Sequence, residues 1–230
     1  MRAESVRFPA RAAHGVDLEG RVLDGGGRPC VVSHPHPLAG GDMDHPIVLA
    51  LWEAVAAAGL RALRYNFRGV GRSTGSLTPK SPLPTDDLGG AVDFLGGGPV
   101  LAIGYSYGAR TTLHAAHAGE AIERTVLVAL PTRLPTGSAA MSNLVLGRPA
   151  RAGDYESAPD LDLLADAPCP IRVVAGDKDP LVDAGELRAR GVEPVLIEGV
   201  NHFFSRRLGM QAPERNDLDA LCAAALEFLL

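Results

Sequence analysis

The chain has 230 residues, 46% of them hydrophobic, a length at which one large α/β domain with a sizeable core is common. Twenty-two Lys and Arg against 27 Asp and Glu leave a formal net charge of −5, so no global basic field draws nucleic acid or anionic lipid. Cys30, Cys169 and Cys222 are an odd set in apolar or Pro-flanked surroundings, which argues against a disulfide framework and for core thiols in a reducing compartment.

The first residues, MRAESVRFPARAAHG, contain no apolar signal core, and no stretch approaches membrane-spanning length. The expectation is a cytoplasmic protein that acts on a small molecule, with no nucleic-acid or membrane partner and no cofactor; a homodimer is compatible with it. Residues 5–9 and 18–23 read as two edge-type strands forming an antiparallel hairpin, the second closed by Asp24-Gly25-Gly26-Gly27. Residues 30–33 form a short apolar strand that runs into His34-Pro35-His36-Pro37-Leu38-Ala39-Gly40-Gly41, where Pro and Gly forbid regular structure. Ile47, Leu51 and Val55 set a helical period over 47–60, with Gly59 as its stop.

Residues 61–67 give the next strand. The loop after it carries Gly69, Gly71 and Gly75, but the phosphate-binding G-x-G-x-x-G order is absent and no helix follows at once, so a structural loop is expected. Asp86 and Asp87 open a helix over 86–95 that Gly96-Gly97-Gly98 stops.

Residues 100–103 are an apolar run that meets Gly104-Tyr105-Ser106-Tyr107-Gly108 and passes directly into a helix over 107–118. A serine with glycine two places to either side, at a strand-to-helix turn, is the nucleophile-elbow pattern, in which close neighbouring backbone leaves no room for a larger residue. A strand over 125–130 follows, and then residues 131–160, rich in Pro, Gly, Ser and Ala, break the alternation. This excursion is expected to cross the strand ends as a small cap within a single domain of 1–230, and the patch from Met141 through Leu144 to Leu146 is its apolar part. Residues 171–175 and 195–197 are strands, 184–190 and 218–229 helices. The alternation from Cys30 onward means parallel βαβ units in one doubly wound sheet.

A serine hydroxyl needs a base, and a histidine base needs an acid to fix its tautomer. In such a sheet these groups lie on loops beyond the carboxyl ends of the strands. The loop after 171–175 holds Asp177 and Asp179; the loop after 195–197 holds His202, giving the order Ser, Asp, His. Asp183 and Glu186 already have cap and N3 spacing for the following helix, which favours Asp179 as the acid and leaves Asp177 as the alternative. An oxyanion needs two donors: the backbone N–H of Tyr107 is one, and since Pro35 and Pro37 have none, the other falls to Leu38 or His36. His36, Met141, Leu144 and Phe203 are the candidates for an apolar substrate pocket.

Together, Ser33-His34-Pro35-His36-Pro37 with Gly40-Gly41, Asn66-Phe67-Arg68-Gly69-Val70-Gly71-Arg72-Ser73, the Ser106 pentapeptide, 176–182 and Asn201-His202-Phe203-Phe204 resemble the small bacterial α/β-hydrolase proteins of dienelactone-hydrolase-like and serine-esterase type. The resemblance spans nearly the whole chain. It implies the α/β-hydrolase fold, an ester-cleaving serine hydrolase, Asp179 as the acid of a G-x-x-D-x-x-V motif and His202 as the terminal histidine. Dienelactone hydrolases proper carry cysteine where this chain has Ser106, and 131–160 is longer than in the simplest members.

Two other classes compete. His34-x-His36, with Asp42, Asp44 and His45 nearby, could hold a metal for hydrolysis. A non-catalytic binding protein on the same fold is the other, because fold alone does not fix function.

Overall fold

The structure is a computed structural model that describes residues 2–13, 15–78 and 81–230, the Leu38 side chain excepted. In chain order the elements are β1 (Glu4–Pro9), β2 (Asp17–Asp24), β3 (Pro29–Ser33), α1 (Pro46–Ala57), β4 (Arg61–Tyr65), α2 (Thr85–Phe94), β5 (Val100–Tyr105) and α3 (Tyr107–His117). They continue with β6 (Ile122–Val128), β7 (Arg133–Pro135), α4 (Ser138–Leu146), β8 (Tyr155–Ser157), β9 (Ile171–Gly176), α5 (Ala184–Arg188), β10 (Val195–Ile197) and α6 (Arg215–Leu229).

Eight strands make one sheet in the order β1-β2-β4-β3-β5-β6-β9-β10. β1 and β2 form the antiparallel hairpin that the sequence predicts, and β2 also runs antiparallel to β4; every other pairing in this sheet is parallel. The glycine turn at 24–27 therefore joins β2 to β3 without making them neighbours, because β4 lies between them.

All six residues of β5 are buried, as a central parallel strand covered on both faces requires. Side chains alternate across it: Leu101, Ile103 and Tyr105 pack with α1 and α6 on one face, while Val100 and Ala102 face α2 and the end of α3 on the other. Toward β9 that second face is closed by Ala109 and Leu113 of α3 and Leu187 of α5.

Several boundaries differ from the sequence reading for local reasons. β4 stops at Tyr65 rather than at 67; the Asn66 N–H still meets the Glu19 carbonyl (2.9 Å), while its side chain accepts the Met43 N–H (2.7 Å) and donates to Glu19 (2.8 Å). β6 ends at Val128 because Ala129 takes φ +46°, outside the extended region. The 68–75 loop is structural, as expected: Arg68 is paired with the fully buried Asp87, and the Ser73 hydroxyl donates to the Asn66 carbonyl. Residues 131–160 contain regular structure that their composition conceals, a two-stranded β7–β8 ribbon and the helix α4. Among the described residues no helix is long and apolar enough to cross a membrane.

Candidate active site

Three loops at the carboxyl ends of β5, β9 and β10 meet at one point. Ser106 sits between β5 and α3 with φ +54°, a conformation costly for any residue with a Cβ. Its N–H is held by the Val128 carbonyl (2.8 Å). A Cβ on Gly104 would run into the carbonyl of Gly108, and one on Gly108 would lie 2.5 Å from that of Ser33, so both glycines are steric requirements of the turn. Ser106 Oγ lies 2.9 Å from His202 Nε2, and His202 Nδ1 lies 2.7 Å from Asp179 Oδ2. All three side chains are buried.

Each partner is held by its own backbone environment. The second Asp179 oxygen accepts the Leu181 N–H (2.8 Å), which fixes the carboxylate plane. Asp183 caps α5 by accepting from Gly185 and Glu186, so Asp179 is not spent on that helix. Asp177 points elsewhere: it accepts the Gly199 N–H (2.6 Å) and pairs with Lys178, and the Gly199 bond holds its carboxyl below the usual range.

Two positioning contacts escape the sequence reading. Asn201 accepts the N–H groups of Phe203 and Ser205 and donates to the Arg207 and Gly209 carbonyls, building the turn that carries His202. Tyr105, which reads as one more core residue of β5, donates its hydroxyl to the His202 carbonyl (2.9 Å). The Asn201 side chain could have been suspected as a turn former, but no sequence signal marks Tyr105.

The Tyr107 N–H, in the first turn of α3, makes no hydrogen bond among the described residues. Across from it the 34–41 loop folds into a short 3-10 turn, Pro37–Ala39, in which the His36 carbonyl accepts from Ala39 and Gly41. The His36 ring stands 4.8 Å from the Tyr107 ring. Leu38 lies inside the 3-10 turn, its side chain outside the described residues.

A cavity of about 50 Å³ opens beside Ser106, and His36, Met141, Leu144 and Phe203 all line it, together with His45 and His202. α4 presents Met141, Leu144 and Val145 to this cavity.

The His34-x-His36 pair is not arranged as a ligand pair. His34 is buried against the Phe67 ring, with Nδ1 donating to the Pro35 carbonyl (2.7 Å) and Nε2 accepting the Phe67 N–H (3.1 Å), so both ring nitrogens are committed to backbone. Among the described residues no group of three or more His, Cys, Asp or Glu side chains could hold a metal ion. Burial pushes His34 down to about 3. A histidine kept neutral by the fold contributes stability that is complete above its unfolded value of roughly 6.5 and is lost as pH falls from there toward 3. Between pH 7 and pH 5 this single group should remove about 2 kcal/mol. In His34→Gln, whose amide oxygen can still accept the Phe67 N–H, denaturant unfolding at the two pH values should show an acid loss smaller by that amount. An identical loss in both proteins would rule His34 out as the source.

No family model matches the chain. An uncharacterized protein of Rickettsia prowazekii is 25% identical over 190 residues, 76% of this chain and 71% of that protein. Among solved structures, an α/β serine hydrolase homologue from Coxiella burnetii superposes with a TM-score of 0.69 at 23% identity, covering 100% of this chain and 99% of that one. A thermophilic esterase from Thermogutta terrifontis gives 0.69 at 18% identity, covering 98% of each chain. The chain has the α/β-hydrolase fold.

Proposed function

We propose that this chain is a serine hydrolase that cleaves an ester bond of a small-molecule substrate through an acyl-enzyme on Ser106. The observation that carries the reading is the continuous relay from Ser106 Oγ through His202 to Asp179, at 2.9 and 2.7 Å, opening on a cavity. An acceptor carboxylate at Nδ1 keeps the imidazole proton on that nitrogen, which leaves Nε2 free to take the serine proton. Attack by Oγ on the carbonyl carbon puts negative charge on its oxygen, beside the unpaired Tyr107 N–H. The second donor would come from His36 or Leu38 across the site. His202 then returns the proton to the departing oxygen, and water repeats the sequence to free the acid.

Solved neighbours named as a serine hydrolase and an esterase support the reading at the level of fold. Three cysteines outside any disulfide fit a cytoplasmic setting. The decisive experiment is labelling with a fluorophosphonate probe followed by mass mapping. An adduct on Ser106 is expected, and a folded protein that takes none would favour a binding role instead.

A further inference from the structure

His45 precedes α1 and lines the same cavity as Ser106 and His202, yet the relay leaves it without a part. Its tautomer follows from one bond. Nδ1 accepts the Ile47 N–H (3.3 Å) and caps α1, so in the neutral ring the hydrogen resides on Nε2. Nε2 has no hydrogen-bond partner among the described residues. Burial and the neighbouring His202 push His45 down to about 4, against the opposite pull of Asp42, so the ring is neutral at pH 7. A half-buried N–H donor thus lines a cavity to which Met141, Leu144, Leu181 and Met210 present apolar wall.

Its location selects which half of a substrate it meets. In acyl transfer the proton taken from the serine goes back, through the histidine, to the departing oxygen, so the departing group lies on the His202 side of Ser106. His45 shares the cavity with His202, and its ring stands 5.3 Å from the Tyr105 ring, which in turn stands 5.9 Å from that of His202. The oxyanion loop reaches the same cavity through His36, whose ring stands against that of Tyr107. Resting on the Ser106 reading above, we propose that the His45 Nε2–H donates a hydrogen bond to the departing half of the substrate. The preferred esters then carry an acceptor oxygen, ether or hydroxyl, a few atoms beyond the ester oxygen.

The test uses two acetates of nearly equal shape, 2-methoxyethyl acetate and butyl acetate, which differ by one oxygen in place of a methylene. The ratio of their kcat/KM values is measured in the parent chain, in His45→Asn and in His45→Gln. Differences in intrinsic reactivity of the two esters cancel when ratios are compared between proteins. Asn keeps an oxygen that can cap α1 but is too short to reach the cavity, whereas Gln restores reach. A lost neutral hydrogen bond should lower the ratio about 3- to 10-fold in His45→Asn, with partial recovery in His45→Gln. An unchanged ratio in His45→Asn, or a fall that Gln does not reverse, overturns the donor role while the Ser106 reading stands. If the folded parent hydrolyses neither ester and takes no fluorophosphonate, both fall together.

Discussion

Ser106→Ala should lower kcat on 4-nitrophenyl acetate by about 10⁴- to 10⁶-fold, the scale on which removing the nucleophile of a serine relay acts, while the protein stays folded. The hydroxyl makes one contact that matters, the bond to His202 Nε2, and its removal deletes no buried apolar surface. Cys30, Cys222 and Ser33 do not stand in for it. Cys30 is buried with its thiol pushed up to about 12 by desolvation, and Cys222 is pushed up to about 11, so neither offers a thiolate at neutral pH. Ser33, on the neighbouring strand, is buried and hydrogen-bonded to the Tyr65 hydroxyl.

The same position makes a second, opposite prediction for stability. At φ +54° the Ser106 backbone is strained by about 1–3 kcal/mol, which glycine does not suffer. Ser106→Gly should therefore melt above the parent while matching Ser106→Ala in lost turnover. Retained activity in either variant, measured with protein free of other esterases, would remove Ser106 as nucleophile. A Gly variant that melts lower would show that the serine side chain holds the turn together.

Much of this site can be read from the chain because its requirements are local. Gly104 and Gly108 flank Ser106 because backbone from two directions comes within contact of them, and that demand appears as two letters in the sequence. The αβ alternation likewise fixes parallel neighbours, since a crossover helix leaves few alternatives. What the sequence hides is what depends on distant partners. The turn after β2 looks like a hairpin turn and is not one, because β4 arrives between β2 and β3. α4 lies in a segment whose glycines, prolines and serines resemble a loop, and its apolar residues find their surface only over Ser106. His34 and His36 look alike in a ligand-like spacing, but the Phe67 N–H, 33 residues away, takes the lone pair of one of them.

Asp179→Asn should lower kcat by about 10⁴-fold with little change in fold, and Asp177→Asn should leave the relay intact. The contrast follows from what each carboxylate holds. One Asp179 oxygen accepts from Leu181 N–H at 2.8 Å and the other from His202 Nδ1 at 2.7 Å. In an asparagine the oxygen must stay with the Leu181 N–H, because an NH₂ group there would set donor against donor. The amide NH₂ then faces His202, whose Nδ1 must become the acceptor, so the ring hydrogen moves to Nε2 and points at Ser106 Oγ. An imidazole in that tautomer cannot take the serine proton. Asp177 instead bonds the Gly199 N–H and pairs with an exposed lysine, so its loss perturbs a surface loop and should leave stability little changed. Steady-state rates of the two variants on one acetate, alongside their melting curves, decide the matter. Comparable turnover in Asp179→Asn and the parent, or a large loss in Asp177→Asn at unchanged stability, would reassign the acid.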